Sequence, residues 1–149
     1  MHYPALVLVP NETKKSAIPD LVSDMLLPYY VNVLIEPGVY PPNPHAEWDW
    51  WRPGGRFDGL LPQQSNNGYA SEDDALEPEW TRNMAKVADL PPDLIPAAII
   101  TPDGEWHDWY DDVKQFESSE REGKWDQIAK AILSQHRECI AVVVDYHSW

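Results

Sequence analysis

Apolar positions fall into short runs separated by proline, glycine and asparagine. Residues 5–9 (ALVLV), closed by Pro10 and Asn11, predict a buried strand. Leu21, Val22, Met25 and Leu26 recur at helical spacing over residues 19–27, with Pro19 suited to a first turn and Pro28 ending the pattern. Residues 30–35 alternate and predict a second strand, stopped by Pro37 and Gly38. Pro41, Pro42 and Pro44 then impose an extended path. Residues 61–76 are polar and turn-rich and predict an exposed loop. Trp80, Met84 and Val87 share one face of a helix predicted over 77–87.

The second half is more regular. Residues 97–101 and 105–109 flank Pro102-Asp103-Gly104, in which Pro102 presets a turn and Gly104 supplies a positive φ, so the segment reads as a hairpin. Trp125, Ile128, Ala129, Ile132 and Leu133 mark an amphipathic helix over 124–137. The run CIAVVV at 139–144 is apolar without alternation, as in a central strand buried on both faces. The predicted fold is α+β: a mostly antiparallel sheet with the C-terminal helix on one face, in one domain spanning residues 1–149.

Composition narrows the function classes. The 149 residues carry 11 Lys and Arg against 25 Asp and Glu, a net charge of −14, which repels nucleic-acid phosphates and disfavours direct nucleic-acid binding. The single cysteine, Cys139, opens an apolar run where burial raises its pKa, and it has no partner for a bridge. No signal-like or membrane-spanning apolar stretch occurs, and the expected location is the cytoplasm.

Candidate chemistry concentrates in two places. Three of the eight tryptophans fall within Trp48-Asp49-Trp50-Trp51, followed by Gly54-Gly55-Arg56. As an extended segment it places Trp48 and Trp50 on one face. Arg56 offers a planar two-pronged donor beside the glycine amides, so Trp48, Trp50, Gly54, Gly55 and Arg56 are the candidate ligand-binding residues, for a carboxylate or phosphate. The competing reading makes the tryptophans core and pairs Arg56 with Asp49 or Asp58. The second place is Asp145 and His147, which lie on one strand face as potential acid–base or metal-ligating groups. His45, Glu47 and His107 are further donors that folding could bring near. No HExxH, CxxC or nucleophile-elbow pattern occurs, and neither a metal nor a cofactor is expected. Nine acids between Asp103 and Asp126 read as a solvated face or a docking surface for a basic partner.

Asn43-Pro44-His45-Ala46-Glu47-Trp48-Asp49-Trp50-Trp51, Gly54-Gly55-Arg56, Asp103-Gly104-Glu105-Trp106 and Val144-Asp145-Tyr146-His147 together resemble an uncharacterised family of small proteins of bacteriophages and some bacteria. The likeness extends to Leu27-Pro28-Tyr29 and Glu36-Pro37. Members often carry a charged insertion before the Asn-Pro segment, absent here, and an aliphatic residue where this chain has Pro53. The resemblance implies an accessory protein and no particular reaction. The expectation is a non-catalytic binding protein that occupies a host protein or holds a small anionic ligand, such as a nucleotide; the alternative is a small hydrolase or transferase using Asp145 and His147 near Arg56.

Overall fold

In a computed structural model of the protein, residues 1–32, 43–61 and 76–148 are described. Six strands form one mixed sheet: β1 (His2–Val9), β2 (Trp50–Pro53), β3 (Met84–Lys86), β4 (Ala98–Ile100), β5 (Trp106–Asp108) and β6 (Ile140–His147). The order is β2-β6-β1-β4-β5, and β3 pairs with β6 on the edge it shares with β2. The β1–β4 pair is parallel and the other pairs are antiparallel.

The β1–β6 ladder runs from His2↔His147 to Val9↔Ile140. Because strand side chains alternate, Ala5, Val7, Val9, Val142 and Val144 face one layer, while Leu6, Leu8, Ala141 and Val143 face the other. Helix α1 (Ile18–Leu26) covers the first layer with Ile18, Val22, Met25 and Leu26. Helix α3 (Lys124–Gln135) covers the second with Trp125 and Ala129 buried, and Ile128, Ile132 and Leu133 half-buried at its margin. The central strands are therefore apolar on both faces, as the run at 139–144 requires. Among the described residues no helix is long and apolar enough to cross a membrane.

Two sequence expectations change. The helix predicted over 77–87 is a single turn, α2 (Pro78–Thr81), followed by β3. The open β6 edge captures Met84–Lys86, and hydrogen bonding to that edge outweighs the local helical spacing. Of the strand predicted at 30–35, Tyr30 forms one parallel bridge with Trp48, residues 31 and 32 turn, and 33–35 lie outside the described residues. The loop predicted at 61–76 lies almost wholly outside them too. The hairpin at 97–109 forms as β4 and β5, with Gly104 at φ +87°.

Candidate functional site

The apolar contacts of α3 extend along β6 to Val143, and the same face then continues as Asp145 and His147. Register places Pro4 and Arg52 on either side of Asp145, and His2 and Trp50 on either side of His147. The strand ends thus gather His2, Trp50, Asp145 and His147 into one patch.

Beyond Pro53 the chain turns through Gly54 into a 3-10 turn, Gly55–Phe57, which folds over Asp145. Asp145 is 1% exposed. Its Oδ2 accepts the Arg56 backbone N–H at 3.0 Å, and its Oδ1 accepts His2 Nδ1–H at 2.9 Å. Gly55 sits so close that a Cβ there would meet Asp145 Oδ2 at 2.5 Å, and its φ of +54° independently favours glycine. The Gly54 amide donates to Val143 O at 2.9 Å. The Gly54 and Arg56 amides are therefore consumed by the fold, and contacts to a ligand fall to side chains.

His147 Nδ1–H donates to Asp49 Oδ1 at 2.6 Å. The His2 and His147 rings stand edge to face at 5.1 Å, and His2 meets Trp50 edge-on at 5.6 Å. Two imidazoles are thus each fixed through Nδ1 by a carboxylate, which leaves both Nε2 atoms as the chemically available nitrogens. Trp50 is 43% exposed. The Arg56 side chain is exposed, and its guanidinium has no hydrogen-bond or ion-pair partner among the described residues.

The expected pairing of Arg56 with Asp49 or Asp58 does not form. Asp49 serves His147, while Asp58 accepts Arg82 Nε at 2.7 Å and Asn83 Nδ2 at 2.9 Å. These bonds hold the Asp58 carboxyl below its usual pKa. Arg52, Arg56 and Arg82, three of the eleven basic residues of a strongly acidic chain, flank this turn. The turn also rests on Asn83, which is fully buried, holds Glu79 O and Asp58 through Nδ2, and leaves Oδ1 without a protein partner among the described residues.

Trp48 leaves the set of ligand-contacting residues. It is buried in the α1 layer, stacks on Tyr30 at 4.6 Å and donates from Nε1 to Leu26 O at 2.8 Å. The expected alternation fails because the Asp49 N–H and Trp50 both stand opposite His147, the two-against-one arrangement of a β-bulge. Trp48 and Trp51 consequently share the α1 side, and Asp49 and Trp50 the other. Trp106 packs on Tyr29 and Tyr146 in the α1 layer, on the side of the sheet opposite Trp50.

His45, Glu47 and His107 do not reach the Asp145–His147 patch. His107 bonds Asp112 at 2.9 Å. His45 and Glu47 line a separate cleft of about 430 Å³ with Tyr29, Asp111 and Lys114. There Glu47, Asp108 and Asp111 bring one ligand atom each within 4.8 Å of one another. From the sequence Glu47 is one of the further donors, and Asp108 and Asp111 belong to the acidic run expected to be a solvated face or a docking surface. Such oxygens suit a hard cation, although Asp108 already accepts Trp106 Nε1–H and two backbone amides, and Lys114 Nζ lies 3.0 Å from Asp111. Burial first, then the Asp108 charge and a hydrogen bond with Asp111, push Glu47 up to about 8. Burial likewise raises Asp108. Burial also pushes up the Cys139 thiol, which belongs to the α3 layer.

The sign of the Glu47 effect follows from linkage. Its folded pKa exceeds the unfolded value, so the native state holds the extra proton between about 4.5 and 8. Its contribution to stability is complete below the lower value and is lost as pH rises through the upper one. Glu47→Gln is expected to melt with the wild type at pH 4 and about 2–4 °C above it at pH 8.5. Parallel melting curves at both pH values would show that Glu47 titrates normally.

No protein-family model, characterised protein or solved structure matches the chain.

Proposed function

We propose that the chain acts by binding, as a small accessory protein of the bacteriophage type, and that its ligand is a small phosphate-bearing molecule of the nucleotide kind. The observation that carries this reading is an exposed Arg56, its guanidinium without a partner among the described residues and its backbone N–H held by the same Asp145 that orients His2, on a sheet end that also carries an exposed Trp50 and two carboxylate-held imidazoles. Arginine offers a phosphate two parallel donors, and an indole face accepts a base. Overall negative charge opposes a long polyanion, which favours a small ligand over nucleic acid. A host protein partner, docking through the acidic run, has no comparable local geometry in its favour.

The alternative of a hydrolase or transferase gains from one specific observation: His2, invisible as a candidate in the sequence, joins His147 on the patch.

Calorimetric titration with adenosine 5′-monophosphate and with inorganic phosphate tests the binding reading. Arg56→Lys is expected to weaken both probes at least about tenfold with an unchanged melting temperature, since charge remains and the fork is lost. Trp50→Ala should weaken the nucleotide alone, by about 1–3 kcal/mol. Absence of binding, or binding indifferent to Arg56→Ala, would remove the ligand site and leave the segment as architecture.

A further inference from the structure

We propose that His2 and His147 are catalytic residues, an acid–base pair that hydrolyses a small nucleotide phosphodiester; this goes beyond binding alone and rests on the reading of the patch as a phosphate-binding site. The inference comes from the sheet register. His2 and His147 are direct cross-strand partners, so the sheet itself fixes their separation, with ring centroids at 5.1 Å. Each ring is oriented by a carboxylate on Nδ1, at 2.9 Å for His2 and 2.6 Å for His147. A carboxylate there sets the tautomer in which Nε2 is a base in the neutral ring and an acid in the charged one. Asp145 and Asp49 are thus positioning residues.

Two imidazoles alone would serve many proton transfers; the surroundings select the substrate. The Asp145 carboxylate that orients His2 also anchors the Arg56 backbone, so the exposed arginine side chain springs from the residue held by the same carboxylate. An arginine rooted next to a histidine pair suits a phosphoryl group, whose two non-bridging oxygens match the fork once the side chain reaches it. Trp50 stands edge-on to His2 and offers a stacking surface for a base attached to that phosphate. The substrate class is therefore a phosphodiester small enough to escape repulsion by the net charge of −14, such as a dinucleotide or a short or cyclic oligonucleotide.

The step balances without a co-reactant other than water. One neutral imidazole takes a proton from water as its oxygen forms the new P–O bond. The P–O bond to the leaving alcohol breaks, and the other ring, entering as imidazolium, protonates the departing oxygen. The products are a phosphomonoester and an alcohol, and exchange with solvent restores the starting protonation of the two rings. Arg56 neutralises the charge that builds on the non-bridging oxygens.

The test uses the full chain in EDTA, with bis(4-nitrophenyl) phosphate and the dinucleotide adenylyl-adenosine as probes. Wild type is expected to hydrolyse both with a bell-shaped pH profile. His2→Ala and His147→Ala should each lower kcat at least about 100-fold, and Asp49→Asn should shift one limb of the profile. If His2→Ala fails to fold, His2→Gln supplies the second variant, and His147, 36% exposed, tolerates replacement without that risk. Binding of adenylyl-adenosine without turnover overturns catalysis and leaves the binding site standing. Failure of both binding and turnover overturns both readings. Turnover retained in His147→Ala also overturns the assignment.

Discussion

Replacing Asp145 with alanine is expected to destabilise the protein by about 3–5 kcal/mol, the largest effect of any single polar substitution in the patch. The side chain is 1% exposed and joins three parts of the chain: β6, the start of β1 through His2, and the turn after β2 through the Arg56 amide. Truncation leaves a part-buried amide without an acceptor, strips His2 of its orienting group and opens a void beneath Gly55. Asp145→Asn retains one acceptor oxygen and nearly the same shape, and should cost roughly half as much. Urea unfolding at constant m-value separates these outcomes. A loss below about 1 kcal/mol for the alanine variant would mean that the turn does not depend on the carboxylate.

Gly55→Ala should be nearly as costly, at about 2–5 kcal/mol, because two independent penalties coincide. The backbone sits at φ +54°, and the new methyl would overlap Asp145, with Oδ2 at 2.5 Å and Cβ at 2.6 Å. Neither partner can yield easily, since Asp145 is held from both oxygens. Gly59 is the internal control: its φ is also positive, at +91°, but nothing lies within 4 Å of an added Cβ. Gly59→Ala should therefore show backbone strain alone, about 1–2 kcal/mol. Equal losses at the two positions would deny the close packing of the turn on Asp145.

These two residues show what could be read from the chain and what could not. The i, i+2 spacing of Asp145 and His147 correctly puts them on one face, because strand alternation is a local property. The partners of that face were not legible: His2 joins it only through a pairing that spans nearly the whole chain. Hairpin and amphipathic helix were legible where local chemistry sufficed, in Pro102-Asp103-Gly104 and in the Trp125–Ala129 stripe. The Trp48–Trp51 alternation misled because a single bulge inverts the facing of every residue before it. Met84–Lys86 misled because its strand exists only against the free edge of β6. The Glu47–Asp108–Asp111 cluster was hidden for a similar reason, since the loop beside β5 brings together acids some sixty positions apart.

Stability of this node and chemistry at its surface are linked. The residues that make the turn rigid, Gly55 and Asp145, are those that hold the His2 ring and the Arg56 backbone in place, so a ligand would meet an imidazole already oriented. The five histidines report on that claim directly, because they are divided between the patch and the rest of the molecule. Imidazole NMR during titration with adenosine 5′-monophosphate should shift the ring signals of His2 and His147 saturably and together. Those of His45, His107 and His136 should stay in place. Saturable shifts confined to His45 or His107, or no saturable shift at His2 and His147, would contradict the assignment of the ligand site to the sheet end around Arg56.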